Sequence, residues 1–173
     1  MKNFKAYLVI VLALVLVACG GAEERKAAYM EKAQKSLDAG DLDKARIELK
    51  NVLQIDPKDA QAYFKLGNIF ERKQEFRKAF GNYNKAAELN PDNSEYQAKL
   101  GRFYLILAGD IDTASEKMNL ILSKDKNDVN GLLLKAGILL KQGKSDEAKE
   151  ITENLFKQHP ENIENAIYLA SLH

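Results

Sequence analysis

The sequence predicts an all-α solenoid of stacked helix–turn–helix repeats, and three observations carry that prediction. Ala45, Ala79, Ala114 and Ala148 stand 34, 35 and 34 residues apart. A second series of small residues, Ala33, Gly67, Gly101 and Ala136, steps by 34, 34 and 35. Between these marks the apolar residues recur every third or fourth position, which places them on one face of a helix. Pro57 and Pro91, 34 apart, close two of the units because a proline has no N–H to continue a helix. Self-similarity at a period of roughly 20–50 residues is the mark of repeat architectures, in which each unit buries its apolar face against the next.

Ahead of the repeats, Met1–Lys5 carries two lysines, and an unbroken apolar run extends from Ala6 to Ala18. A basic start and an apolar run too short to span, which takes about 20 residues, make a secretory signal rather than a membrane helix. Leu16-Val17-Ala18-Cys19 matches a bacterial lipobox, so residues 1–18 resemble a lipoprotein signal peptide. The resemblance implies cleavage before Cys19, diacylation of its thiol and acylation of the new amino group, with palmitate-type chains fixing the protein to a membrane. Two acyl chains already hold firmly, so three would be effectively permanent. The rival is an uncleaved anchor with Cys19 as an incidental thiol. Gly20 follows Cys19 where an aspartate resembles an inner-membrane retention signal, so the outer membrane, facing the periplasm, is expected. Cys19 is the single cysteine, which excludes an intrachain disulfide. Residues 19–25 read as the lipidated cysteine and a short tether.

The first repeat, 26–59, carries Tyr29, Ala33 and Leu37, a turn at Asp38-Ala39-Gly40-Asp41, and a stripe of Leu42, Ala45, Leu49, Val52 and Leu53. Asp41 or Asp43 is placed to cap its second helix. Lys32 and Ser36 stand where the second and third repeats have Leu66 and Phe70, and Leu100 and Tyr104, as an end repeat with one open side permits. The second repeat, 60–93, is the fullest: Tyr63-x2-Leu66-Gly67-x2-Phe70, then Ala79-x3-Tyr83, Ala86 and Pro91. These residues resemble the tetratricopeptide (TPR) motif, and the resemblance implies a right-handed superhelix of helix hairpins. The third repeat, 94–128, has Leu100-Gly101-x2-Tyr104, the turn Ala108-Gly109-Asp110, and the stripe Ala114, Met118, Ile121 and Leu122. Its extra residue falls between Gly101 and Ala114, which predicts a longer first helix or a local bulge near Leu105–Gly109. The fourth, 129–162, shows Ala136, Leu139, the turn Gly143-Lys144-Ser145, Ala148, Leu155 and Pro160. Residues 163–173 begin a fifth unit, read as a cap helix or, preferably, as the start of a longer array, because a repeat does not hide its apolar face alone.

Composition narrows the function. The chain of 173 residues is 46% apolar and 29% charged, which suits helices with one wet face. Set aside Lys2 and Lys5, and 24 basic residues face 25 acidic ones, with no block of either sign, so no nucleic-acid surface is expected. His159 and His173 lack neighbours at metal-ligand spacing, and no nucleophile elbow is present. Gly143-Lys144-Ser145 imitates the end of a phosphate loop, but Ile138 stands where the first glycine belongs and a helix precedes it. No cofactor, metal, small-molecule substrate or catalytic residue is expected; the chain reads as a binding protein, not an enzyme.

The TPR resemblance places the first helices along a concave groove and so nominates residues by register. These are Met30, Gln34, Phe64, Asn68, Arg72, Arg102, Leu133 and Lys141, with Ala98, Leu105, Gly137 and Leu140 beside them. Phe64 and Leu133 have a competing role as packing residues. The TPR subfamily that clamps chaperone tails uses lysine, asparagine and arginine around a peptide carboxylate. Only Asn68 and Arg102 match that set, while Met30, Gln34 and Ala98 depart from it. An apolar groove with a few polar anchors suits a segment of an envelope protein.

A lipobox before a TPR array is similar to several bacterial families. Ile47-Glu48-Leu49-Lys50-Asn51-Val52-Leu53-Gln54 before Asp56-Pro57, with Leu132-Leu133-Leu134-Lys135-Ala136, most resembles the TPR lipoproteins of PEP-CTERM/exosortase exopolysaccharide systems. The expected function is a membrane-anchored scaffold in exopolysaccharide export or protein sorting. The alternatives are a pilotin-like factor for type IV pilus or secretin assembly and an adaptor for cell-wall hydrolases.

Overall fold

The computed structural model describes residues 21–160. Eight α-helices and one π-helical turn account for nearly all of them, with no strand among the described residues. The chain is helical over 21–38 (α1), followed by α2 (Leu42–Ile55), α3 (Ala60–Arg72) and α4 (Phe76–Leu89). Then come α5 (Ser94–Phe103), the π turn (Tyr104–Ala108), α6 (Ile111–Lys124), α7 (Val129–Lys141) and α8 (Ser145–Gln158). The all-α fold of paired helices expected from the period is therefore present. Cys19, the lipobox and the fifth-repeat segment lie outside the described residues. One boundary needs correction: residues 21–25, expected as tether, already belong to α1. Ala22, Glu23, Glu24 and Arg25 are good helix formers, and Glu23 pairs with Lys26 at 3.0 Å one turn on.

Local chemistry sets the helix ends. Asp59, Asn93 and Asp128 each turn a side-chain oxygen onto the N–H three residues ahead, at 2.8, 3.0 and 2.9 Å, and start α3, α5 and α7. Asp41 and Asp110 do the same for α2 and α6. Of the two cap candidates in the first repeat the structure selects Asp41; Asp43 instead pairs with Lys73 at 2.7 Å, tying the second helix of one repeat to the next repeat. That lysine holds the Asp43 carboxyl below its ordinary range. At the other end of each first helix the chain enters the left-handed region at Gly40, Gln74, Gly109 and Gly143, with φ between 60° and 78°. Three of the four are glycines, as that conformation favours. Gly143-Lys144-Ser145 is thus the turn between α7 and α8.

The chain divides into two compact units, residues 1–79 and 80–173. In the first, Ala33, Ala45, Leu49, Val52, Ala62, Leu66 and Ile69 form a buried core flanked by Tyr29, Met30, Leu37, Leu42, Leu53 and Phe70. Ser36 is buried beside it, and Lys26 bridges Asp56 at 3.0 Å and Asp59 at 3.9 Å. In the second unit, Leu105, Ala114, Leu134 and Ile138 form one cluster, and Ala136, Leu139 and Ala148 another. Tyr83 meets Phe103 edge-on at 5.0 Å, and Phe80 meets Tyr104 at 5.2 Å, the arrangement that aromatic quadrupoles prefer. Gly101 is small for a reason: a Cβ there would lie 2.6 Å from Leu134 Cδ2 and 3.2 Å from Lys117 Cβ. Two buried polar side chains bond locally to backbone carbonyls, although Gln97 Oε1 accepts no hydrogen bond among the described residues. Gln97 donates to the carbonyls of Ala87 and Pro91, closing the α4–α5 turn, and Thr152 bonds back to Ala148 and Lys149.

Candidate partner-binding surface

In the first unit the nominated residues lie on α1 and α3, and the structure divides them by exposure. Met30 is half-buried and packs on the core. Gln34 is exposed, but both ends of its amide are engaged: Nε2 donates to Asp38 at 2.8 Å, and Oε1 accepts from Lys65 Nζ at 2.6 Å. The Lys65 bond joins α3 to α1, so Gln34 holds two repeats in register. Phe64 is only 7% exposed and is a packing residue. Asn68 is half-buried, and Arg72 is exposed in the last turn of α3.

The second unit offers a different surface, built by α5, the π turn and α7. The inserted residue of the third repeat is wound into the π turn, which closes with the Asp110 N–H on the Tyr104 carbonyl at 3.1 Å. A π turn widens the helix by one residue and re-aims the side chains it carries. Leu105 points into the core, 5% exposed, while Ile106 and Leu107 stand out at 70% and 51%. Beside Ile106 lies a cavity of about 370 Å³, lined by Leu105, Ile106, Gly137, Leu140 and Lys141.

 That volume, about 370 Å³, sits at the lower end of the range of roughly 300–1,000 Å³ for ligand pockets. Four of the five lining residues are those that register assigns to the groove. Gly137 forms a floor without a side chain, Leu140 a half-buried wall, and Lys141 an exposed rim. Arg102 is half-buried on α5, and Leu133, 2% exposed, is a packing residue; neither lines the cavity. Ile106 and Leu107 were not nominated by register. The signal for them was the one-residue surplus in the spacing, which located the turn without showing which side chains it would expose.

Among the described residues, no three His, Cys, Asp or Glu side chains are arranged to hold a metal ion. No helix among them is long and apolar enough to cross a membrane. The arrangement offers apolar contact area and cations, which suit the docking of a polypeptide segment.

Comparison with known proteins bears on the family and the fold. The family model of the cytochrome c-type biogenesis protein H TPR domain matches residues 21–170. The chain belongs to that TPR family. Among curated proteins it is 34% identical over 106 residues to the BBSome complex member BBS4 of Bos taurus, covering 61% of this chain and 20% of that one. It is 28% identical over 111 residues to the type IV pilus assembly protein PilF of Pseudomonas aeruginosa, covering 57% of this chain and 44% of that one. The chain thus spans less than half the length of these relatives. The solved PilF structure superimposes with a TM-score of 0.70 at 23% identity, over 88% of this chain and 69% of that one. PilW, a type IV pilus biogenesis factor, gives 0.71 at 19%, over 85% and 68%. At these identities the two structures establish the TPR fold.

Proposed function

We propose that this TPR protein is a lipid-anchored adaptor of the bacterial envelope, fixed to a membrane through Cys19 and binding protein partners through the first helices of its repeats. The observation that carries the reading is the family match across residues 21–170, directly after the lipobox. The outer membrane, facing the periplasm, is the proposed location. The test is twofold. Labelled fatty acid should enter the chain and be lost in Cys19→Ser, with release of the protein from membranes. Crosslinking in intact envelopes should recover a defined set of partners. Lipidation that persists in Cys19→Ser, or a chain recovered without any crosslinked partner, would sink the reading.

A second, narrower reading has its own support. The likeness to PilF and PilW, named for type IV pilus assembly and biogenesis, favours a pilotin-like part in building a pilus or secretin. The exopolysaccharide reading rests on the Ile47–Gln54 run, made of residues common to many repeats. Deleting the gene and counting surface pili decides between them: loss of pili with intact polysaccharide supports the pilotin-like role, and the reverse result supports export.

A further inference from the structure

The two kinds of helix in the second unit differ in charge. Together α5 and α7 carry four cations against one anion, whereas α6 and α8 carry four cations against six anions. The cavity is lined by α7, one of the cationic pair, and by the π turn that continues α5. Its rim cation, Lys141, makes no ion pair among the described residues, unlike Lys124 of α6, which pairs with Asp92 in the α4–α5 turn. Ile106 lines the cavity, and Leu107 follows on the same π turn; both are apolar and exposed, at 70% and 51%. An apolar recess with a cation at its edge, unpaired among the described residues, is complementary to one kind of ligand: an apolar side chain with a carboxylate close by.

We propose that the cavity formed by the π turn and α7 is a subsite for an aliphatic or aromatic side chain flanked by acidic residues on a partner's segment. Ile106, Leu107 and Leu140 cover the apolar group, Gly137 gives it depth, and Lys141 pairs with the neighbouring carboxylate. The subsite rests on the adaptor reading above and supplies what that reading leaves open, the chemistry of the segment recognised. It differs from the chaperone-tail clamp in its residues and in its dependence on the inserted turn.

Three labelled peptides test it by fluorescence anisotropy, with the full chain held in detergent-free nanodiscs. They are acetyl-Ser-Asp-Leu-Phe-Asp-Ser-amide, the same peptide with lysines for the aspartates, and the same with alanines for Leu-Phe. The aspartate peptide should bind tightest. Lys141→Glu should weaken it about fivefold and reverse the preference toward the lysine peptide. Ile106→Ser should also weaken it about fivefold. Both side chains are exposed, so helicity and melting should stay at the parent values, and Leu107→Ser gives an independent check. Equal binding of the aspartate and lysine peptides, or undiminished binding of the alanine peptide, overturns the proposal. So does a second copy of the chain occupying the cavity, seen as self-association that Ile106→Ser abolishes. Envelope crosslinking separates the two levels. If Lys141→Glu/Ile106→Ser captures the same partners at the same yield, the subsite fails and the adaptor stands; if the parent chain captures none, the adaptor fails.

Discussion

Gln74 occupies, at φ 60°, the position that is glycine in the other three repeats. A side chain there costs conformational energy that glycine does not, of order 1 kcal/mol. Gln74→Gly is therefore expected to raise stability by about 0.5–1 kcal/mol in urea unfolding; a loss would show that the glutamine side chain makes a compensating contact. Gly101→Ala should act in the opposite sense. Leu134, whose Cδ2 would lie 2.6 Å from the new Cβ, is fully buried, so a cost of about 1–3 kcal/mol is expected. Phe64 illustrates what spacing leaves undecided. Its register position faces the groove, yet it is 7% exposed, so Phe64→Ala should lower stability by about 3–5 kcal/mol. Likewise Gln34 looked like an anchor, and its bond to Lys65, 31 residues away, was invisible to local pattern.

At the scale of elements, much more was legible. The alanine and glycine series fixed which helices pair, and the surplus residue located the π turn between Gly101 and Ala114. Its form was not legible, because a longer helix and a bulge absorb one residue equally well. The caps are short-range features and so are readable, although Asp41 and Asp43 differ only in which backbone N–H each can reach. Asp128→Ala should cost about 1 kcal/mol by freeing the Gly131 N–H at the start of α7, measured as a shift in the urea midpoint. Acid should expose the same dependence on carboxylates. Asp56 is held below its ordinary value of 3.8 by Lys26 and then the Lys58 N–H, and Asp110 by the N–H and hydroxyl of Thr113. The unfolded chain takes up these protons first as pH falls, so the stability they contribute is complete above the ordinary value and is lost as pH drops through the lowered one. The urea midpoint should therefore decline below about pH 4, and Asp110→Asn should flatten part of that decline.

Across the whole molecule, each unit carries its own apolar core, and each should answer to its own truncation. Leu49→Ala in the first and Leu134→Ala in the second should each cost about 2–5 kcal/mol, read from melting of the full chain. The Asx bond that opens α3, α5 and α7 has a broader meaning. It spans three residues and recurs at 59, 93 and 128, so the signal to begin each of these three hairpins lies immediately at its start. A polypeptide threaded amino end first through a narrow passage can therefore wind up stepwise on the far side, one pair of helices at a time, without waiting for its tail to arrive.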